Sequence, residues 1–195
     1  MKVFTFTFFL YLLSSFAFSQ RMEQEMDSLL NVLQKQQPDS TKVHTYLSLA
    51  QINSISNIEN SLKWAESGLN LATQLQYKKG IVACSNELGY GYSITGNNEK
   101  ALTYLTNALN IAENQGLWLE IIDIHNSLGM IFGKKEEYEK ALAHFRAALK
   151  SGQEHNLSRE TAIGYNNVGL LLSKQGQYVL ALDHFLAAEQ LYEKA

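Results

Sequence analysis

The chain has 195 residues, 46% of them hydrophobic and 18% charged, which is enough for one domain or one short array of repeats. Its formal net charge is −3, with 16 Lys and Arg against 19 Asp and Glu, so it lacks the basic excess that nucleic-acid binding requires. The chain contains only one proline, Pro38, and this scarcity of proline favours long uninterrupted helices. It contains only one cysteine, Cys84, which excludes an internal disulfide.

The segment 1–19 has the layout of a secretory signal peptide. A positive charge near the start is followed by an apolar run over 3–13, and the small residues Ala17 and Ser19 stand two apart. We therefore expect cleavage after Ser19 and a periplasmic location for the exported chain. The alternative is a membrane anchor formed by residues 3–18, although the apolar run is shorter than the ~20 residues that a membrane span needs.

A short helix is predicted over 20–38, because apolar side chains recur there at helical spacing and Pro38 ends the pattern. Asp39 or Ser40 can cap the helix that follows. The next start signal is Ser56–Glu59, which matches the pattern of a capping box and predicts a second helix directly behind it.

A stretch of four residues then recurs three times at a spacing of 40. It reads Asn-Glu-Leu-Gly at 86–89, Asn-Ser-Leu-Gly at 126–129 and Asn-Asn-Val-Gly at 166–169. Twelve residues past each glycine comes an Ala-Leu pair, and seven residues after that alanine comes another alanine. Self-similarity at a fixed period of this size is typical of stacked helical units.

We therefore predict an all-α fold, a right-handed superhelical solenoid of antiparallel helix pairs over 39–195. In each pair a glycine on the first helix, helix A, lets the second helix, helix B, approach closely, and stacking of the pairs buries a continuous core. Ala50 is expected to take the place of the glycine in the first pair, with a shift of one residue. The four pairs are predicted at 39–78, 79–118, 119–157 and 158–195.

These residues resemble the tetratricopeptide repeat family, whose signature places Leu-Gly and an aromatic residue on helix A and alanine, an aromatic residue and alanine on helix B. In the second pair the pattern is carried by Leu88, Gly89, Tyr92, Ala101, Leu105 and Ala108, and it repeats in the next two pairs. The period of 40 departs from the usual ~34 of the family. Ser85, His125 and Tyr165 also replace the usual tryptophan of helix A.

Longer repeats of this kind resemble the extracytoplasmic sensor regions of bacterial two-component histidine kinases and related transcriptional regulators. The resemblance also places the helix A asparagines on the concave face, where an amide can bond both to donors and to acceptors of a peptide backbone. The candidate peptide-binding residues are Asn86, Tyr90, Asn126, Met130, Lys134, Asn166, Leu170 and Lys174. The alternative is that the asparagines bond between neighbouring helices and only fix the stack, and both interpretations stay open.

The sequence gives no convergent cluster that predicts catalysis or metal binding. His144 and His184 alternate at the 40-residue period with Trp64 and Tyr104, so we interpret these four as ring-shaped packing residues and not as ligands. Cys84 lies on an apolar helix face and is expected to be a small core residue. We therefore expect a non-enzymatic chain with no metal, no small-molecule cofactor and no nucleic-acid partner.

The last helix is unusually apolar, whereas a solenoid normally ends with a polar capping helix. Its apolar residues are Leu180, Leu182, Phe185, Leu186, Ala187, Leu191 and Tyr192. Three explanations stay open: a dimer through this face, a partner or further repeats that complete the stack, or a truncated longer signalling protein.

We favour an exported scaffold that binds a protein or peptide in its concave groove. The alternative function is a sensor-region fragment of a histidine kinase or transcriptional regulator.

Overall fold

The computed structural model describes residues 21–193, and within this range every regular element is a helix. The leader predicted at 1–19 lies outside the described residues. In the described part, none of the helices has the length and apolar character that crossing a membrane demands. The helices are α1 over 21–35, α2 Ser40–Ser56, α3 Ile58–Gln74, α4 Lys78–Ile94, α5 Asn98–Gln115, α6 Trp118–Lys134, α7 Tyr138–Glu154, α8 Ser158–Lys174 and α9 Tyr178–Tyr192.

Helices α2 to α9 form four antiparallel pairs, α2/α3, α4/α5, α6/α7 and α8/α9, which confirms the predicted all-α repeat fold. Each helix A also contacts the next helix A, so that α2, α4, α6 and α8 form a continuous row. Over residues 40–192, helix B of one pair makes no such contact with helix B of the next. The row of A helices is therefore the tighter, concave side of the stack, and the B helices form its outer side.

The repeat glycines lie where helix A meets a large side chain of helix B. A Cβ added to Gly89 would lie 2.5 Å from Leu105 Cγ, and a Cβ added to Gly129 would lie 2.5 Å from Phe145 Cε1. Real Cβ atoms essentially never approach another atom within 3.0 Å. Glycine is thus required at these positions because a buried side chain lies against the helix backbone, and the helices can pack this closely only without a Cβ.

The first pair solves the same packing problem with two small residues. Ala50 and Ala65 are both fully buried in one cluster with Leu88. Ala65 stands 40 residues before Leu105 and therefore takes the place of the large residue of helix B. Ala50 takes the place of the glycine of helix A. The expected role of Ala50 is therefore confirmed, and it depends on a smaller residue at the opposing position.

The turn between α2 and α3 differs from the prediction. Helix α2 includes Ser56, so this residue is helical and does not cap α3. The cap is Asn57, whose side-chain oxygen accepts a hydrogen bond from the backbone N–H of Asn60 at 3.0 Å. The predicted capping box over Ser56–Glu59 is wrong because α2 continues to the residue directly before the single-residue turn.

The three-residue turns inside the other pairs each contain one residue with a positive φ angle. Gly96 and Gly176 adopt it at 81° and 76°, but in the third pair Glu136 does so at 61°. This left-handed conformation brings Cβ close to a backbone carbonyl oxygen, which costs an L residue roughly 1–2 kcal/mol. Glycine avoids that cost but loses more conformational entropy when the chain folds.

We expect Glu136→Gly to raise the free energy of unfolding by about 0.5–1 kcal/mol, because relief of the φ strain outweighs the extra entropy of the unfolded chain. Within residues 21–193 the Glu136 side chain takes part in no hydrogen bond or ion pair that would be lost. Urea denaturation measures the change. Glu136→Ala is the control and should bring no such gain, since alanine keeps the strained Cβ.

Candidate functional site

Helices α6 and α8 enclose a groove on the concave side, which we call the inner groove. It is a cavity of about 320 Å³ with a mainly apolar lining. A cavity of this size can hold one or two large side chains of a ligand. Its lining consists of Gly129, Met130, Gly133 and Lys134 of α6, Phe145 of α7, and Asn167, Leu170, Leu171 and Lys174 of α8.

Two of the residues that line the inner groove are glycines one turn apart on α6. Gly129 lies against the ring of Phe145, whereas a Cβ added to Gly133 would lie 3.5 Å from the nearest side-chain atom, an ordinary contact distance. Beside this bare backbone, Met130 and Leu170 are 37% and 60% exposed. Exposed apolar side chains around a concave surface are typical of a binding site.

Two lysines stand at one edge of the inner groove. Lys134 and Lys174 each lie in the last turn of their helix, and both are exposed. Neither lysine takes part in an ion pair with any described residue. A cation in the last turn stabilises the negative end of its own helix, which is a structural role. Two ammonium groups beside an apolar cavity also favour an acidic group on a ligand.

The predicted asparagines bond to the neighbouring helix A. Asn167 Nδ2 donates to Asn126 Oδ1 at 2.9 Å, and Ser127 Oγ donates to Asn86 Oδ1 at 2.9 Å. Both bonds join residues that are 41 apart, so they are successive rungs of one ladder across the A helices. This geometry fits the interpretation in which Asn86 and Asn126 fix the stack, because the acceptor oxygen of each is already engaged.

The structure brings together only some of the eight predicted site residues. Asn126 adjoins the inner groove through its bond to Asn167. Asn86 and Tyr90 lie on the preceding helix α4, and Asn166 lies beside α9 at the C-terminal end of the stack. The four that line the inner groove itself are Met130, Lys134, Leu170 and Lys174.

The donors of the ladder, Ser127 and Asn167, directly follow the predicted asparagines and were not predicted as site residues. Glu87 occupies the equivalent position in α4. The available signal for this ladder was a polar residue at each of positions 87, 127 and 167, which lie 40 apart on helices that otherwise pack together. Burial raises the pKa of the Glu87 carboxyl to about 7, so this group changes its charge near neutral pH on the concave side.

A second carboxyl group of the concave row behaves similarly. Asp123 lies on α6 one turn before Ser127, and one side of it is open to solvent. Burial among the surrounding atoms raises its pKa to about 6; the charges of Glu120 and Glu160 add to the rise, and Arg159 opposes it. Near the N-terminal ends of α6 and α8, Asp123, Glu120 and Glu160 thus form an acidic edge, in which Glu120 pairs with Lys79 at 3.3 Å. This edge lies at the opposite ends of the two helices from Lys134 and Lys174.

An unpredicted histidine pair joins α6 to α7. His125 Nδ1 lies 3.0 Å from His144 Nδ1, a distance at which one ring donates and the other accepts. Burial lowers the pKa of His125 to about 4, with a further contribution from His144, and burial also lowers the pKa of His144. The pair is therefore a neutral packing contact at physiological pH.

The interpretation of Trp64, Tyr104, His144 and His184 as ring-shaped packing residues is confirmed. Trp64 stacks on Tyr46 with ring centroids 6.0 Å apart, and Tyr104 stacks on Tyr92 at 5.7 Å. His144 stacks on a ring of α6 at 5.4 Å, and His184 meets a ring of α8 edge-on at 5.9 Å. Each of these four helix B residues thus packs on an aromatic ring of helix A in the same pair.

The chemistry of the described residues otherwise points to packing. Cys84 is fully buried, and burial raises the pKa of its thiol to about 12, as fits a small core residue. Within residues 21–193 there is no group of three or more His, Cys, Asp or Glu side chains placed to hold a metal ion. Among the grooves of the described residues, the inner groove has the most apolar lining and carries two lysines at its edge.

A protein-family model described as tetratricopeptide repeat matches residues 81–154 and 120–195. These overlapping matches together span more than half of the chain. They include both helices of the inner groove, α6 and α8. No curated protein matches the sequence.

Three solved structures share the fold. BtubC (BKLC) from P. vanneervenii is 20% identical over 89% of this chain and 74% of its own, with a TM-score of 0.72. A Rap protein complexed with Competence and Sporulation Factor is 20% identical over 91% of this chain and 52% of its own, with a TM-score of 0.79. The Rap conjugation gene regulator of plasmid pLS20, in complex with the Phr* peptide, is 18% identical over 91% and 50%, with a TM-score of 0.75. The chain thus spans about half the length of the two Rap structures.

Proposed function

Because the chain belongs to the tetratricopeptide repeat family, we propose that it is an exported, non-enzymatic scaffold that binds a protein or peptide segment in its inner groove. The observation that carries this proposal is an apolar cavity of about 320 Å³ beside two lysines that have no ion-pair partner among the described residues. Export rests on the leader layout of residues 1–19. The 40-residue period keeps a sensor region of a two-component protein as the alternative setting for the same groove.

Two similar structures support a peptide ligand. One Rap structure is a complex with Competence and Sporulation Factor, and another is a complex with the Phr* peptide. The shared fold therefore includes proteins that hold such ligands. Repeat arrays of this kind also offer an extended concave surface suited to a segment of another chain.

The inner groove defines the ligand by its chemistry. Met130 and Leu170 provide an apolar surface for a large apolar side chain, and the nearby Lys134 and Lys174 favour a carboxylate next to it. The acidic edge around Asp123 favours a basic residue at the other side of the A helices. We infer a segment in which an apolar residue lies between an acidic and a basic one.

Selection from a library of displayed random peptides tests this proposal. We expect the chain to enrich peptides in which acidic residues neighbour a large apolar residue. The double variant Lys134→Glu/Lys174→Glu should bind them at least tenfold more weakly, about 1.4 kcal/mol. The same variant should enrich apolar–basic peptides instead, because the charge that the ligand meets is reversed. Binding is measured by fluorescence anisotropy with the selected peptides.

The matched control is Lys63→Glu/Lys150→Glu, which changes the net charge equally on the exposed outer side of α3 and α7. This control should leave the affinity unchanged. Equal weakening by both double variants would mean that only the overall charge matters. Selection of peptides that bind all three proteins alike would place the ligand site elsewhere.

A further inference from the structure

Helix α9 carries apolar side chains where the other B helices carry polar ones. Val179, Leu180 and Leu186 are 77%, 50% and 46% exposed. The equivalent residues, all exposed, are Glu139, Lys140 and Arg146 in α7, Glu99, Lys100 and Thr106 in α5, and Glu59, Asn60 and Glu66 in α3. These three positions thus form an outer surface that is polar in three pairs and apolar in the fourth.

Stacking of a further helix pair would not cover this outer surface. Helices α3, α5 and α7 are each followed by another pair, and yet the equivalent positions stay exposed in all of them. The cover for Val179, Leu180 and Leu186 must therefore come from outside the repeat stack. Continuation of the array alone leaves them in water.

A second apolar surface of α9 adjoins the first. It borders a groove of about 600 Å³ at the C-terminal end of the described stack, lined by Asn166, Leu182, Phe185, Leu186, Ala188, Glu189, Tyr192 and Glu193. Leu182 is 56% exposed, whereas the equivalent Leu142 of α7 is only partly exposed beneath α8. Tyr178 and Tyr192 are 70% and 45% exposed. A helix that is apolar on two adjacent sides is typical of a buried position.

We propose that α9 is covered by α9 of a second copy of this chain in a two-fold symmetric dimer. Val179, Leu182 and Leu186 follow the i, i+3, i+7 spacing of a seam between paired helices. In an antiparallel pair centred between Leu182 and Asp183, Val179 lies against Leu186 of the second copy and the reverse contact follows by symmetry. The stripe is thus complementary to itself.

The available area fits a stable dimer. Five exposed apolar side chains on this side of α9 present roughly 500 Å² per copy, against the ~800 Å² per partner of a standard interface. These side chains are Tyr178, Val179, Leu182, Leu186 and Tyr192. The adjoining end groove adds further apolar surface to the same side.

Charge gives the dimer a recognisable signature. Over residues 178–193 the charged side chains are Asp183, Glu189 and Glu193, without a lysine or arginine. Antiparallel pairing centred between Leu182 and Asp183 brings the two Asp183 carboxylates close to the symmetry axis. Their repulsion acts in water and is screened by salt, so it weakens the dimer without preventing burial of the apolar stripe. Added salt, or Asp183→Asn, should therefore tighten the dimer.

Sedimentation equilibrium of the full chain at micromolar concentrations tests the proposal. We expect a dimer of the wild-type chain and at least 100-fold weaker association of the variant Val179→Glu/Leu180→Lys/Leu186→Arg. This variant places the α7 residues on α9, and α7 is helical with them, so its circular dichroism and Tm should match the wild type. The matched control, Glu139→Lys/Lys140→Glu/Arg146→Glu on α7, should leave the association unchanged.

Several results would overturn the proposal. A wild-type chain that stays monomeric at the highest concentration has no self-association through α9. A triple variant that still dimerises uses another surface. Weakening of the dimer by salt or by Asp183→Asn would contradict the antiparallel pairing, because the two Asp183 carboxylates would then not face each other. Should the triple variant lose its helical signal, Leu186→Arg alone is measured with the same expected loss of association.

Discussion

Replacing Gly129 with alanine is expected to lower the free energy of unfolding by about 1–2 kcal/mol. The added Cβ would lie 2.5 Å from Cε1 of Phe145, a residue that is only 4% exposed. Overpacking of this kind costs about 1–3 kcal/mol and occasionally more, and it outweighs the ~1 kcal/mol that alanine gains over glycine inside a helix. Urea denaturation of both proteins measures the difference.

Gly133 provides the matched control one turn later on the same helix. A Cβ added there lies 3.5 Å from the nearest atom, so Gly133→Ala should raise the free energy of unfolding by up to about 1 kcal/mol. A double-mutant cycle then isolates the clash. Phe145→Ala alone should cost about 3–5 kcal/mol, and Gly129→Ala added to it should cost nothing further, because the ring is gone. Additive costs would contradict the packing argument.

Acidification from pH 6.5 to 4 is expected to remove about 1–2 kcal/mol of stability through the His125–His144 pair. Burial holds the pKa of His125 at about 4 in the folded chain, below the 6.5 of an unperturbed histidine. The unfolded chain therefore binds a proton first as the pH falls, so the contribution is fully present above pH 6.5 and is lost on approach to pH 4. Partial contact of the ring with water reduces it from the ~3 kcal/mol of the full pKa difference.

The carboxyl groups of the concave side act in the opposite direction. Glu87 and Asp123 have pKa values raised to about 7 and 6, so their contribution is present at acidic pH and is lost as the pH rises through those values. The stability profile of the wild-type chain is therefore a sum of opposing terms. A comparison with a variant that lacks only the histidines separates them.

The variant His125→Ser/His144→Tyr serves this purpose because the second pair carries Ser85 and Tyr104 at the same positions. The difference in unfolding free energy between the wild-type chain and this variant should change by about 1–2 kcal/mol between pH 6.5 and 4. Chemical denaturation at several pH values measures it. Parallel profiles for the two proteins would show that the histidine pair does not couple to folding.

The sequence by itself determined the helical array. Small and large residues recur in phase at a period of 40, and this alternation can be satisfied only where glycine or alanine of one helix meets a large side chain of the next, as at Gly129 and Phe145. Turn residues such as Gly96 gave the helix ends to within a few residues. The errors were local: Ser56 stayed helical, and Glu136 adopts a left-handed conformation that its side chain does not announce.

Only the tertiary structure decided which candidate residues meet. The bond from Asn167 to Asn126 and the contact between His125 and His144 join residues 41 and 19 apart. Their distances depend on the angles between helices, which many side chains set together. Periodicity places Met130 and Leu170 on one face of their helices, but the cavity beside them depends on how α6, α7 and α8 pack together. The charge state of Glu87 likewise follows from burial, which raises the pKa of its carboxyl group only once the surrounding helices are in place.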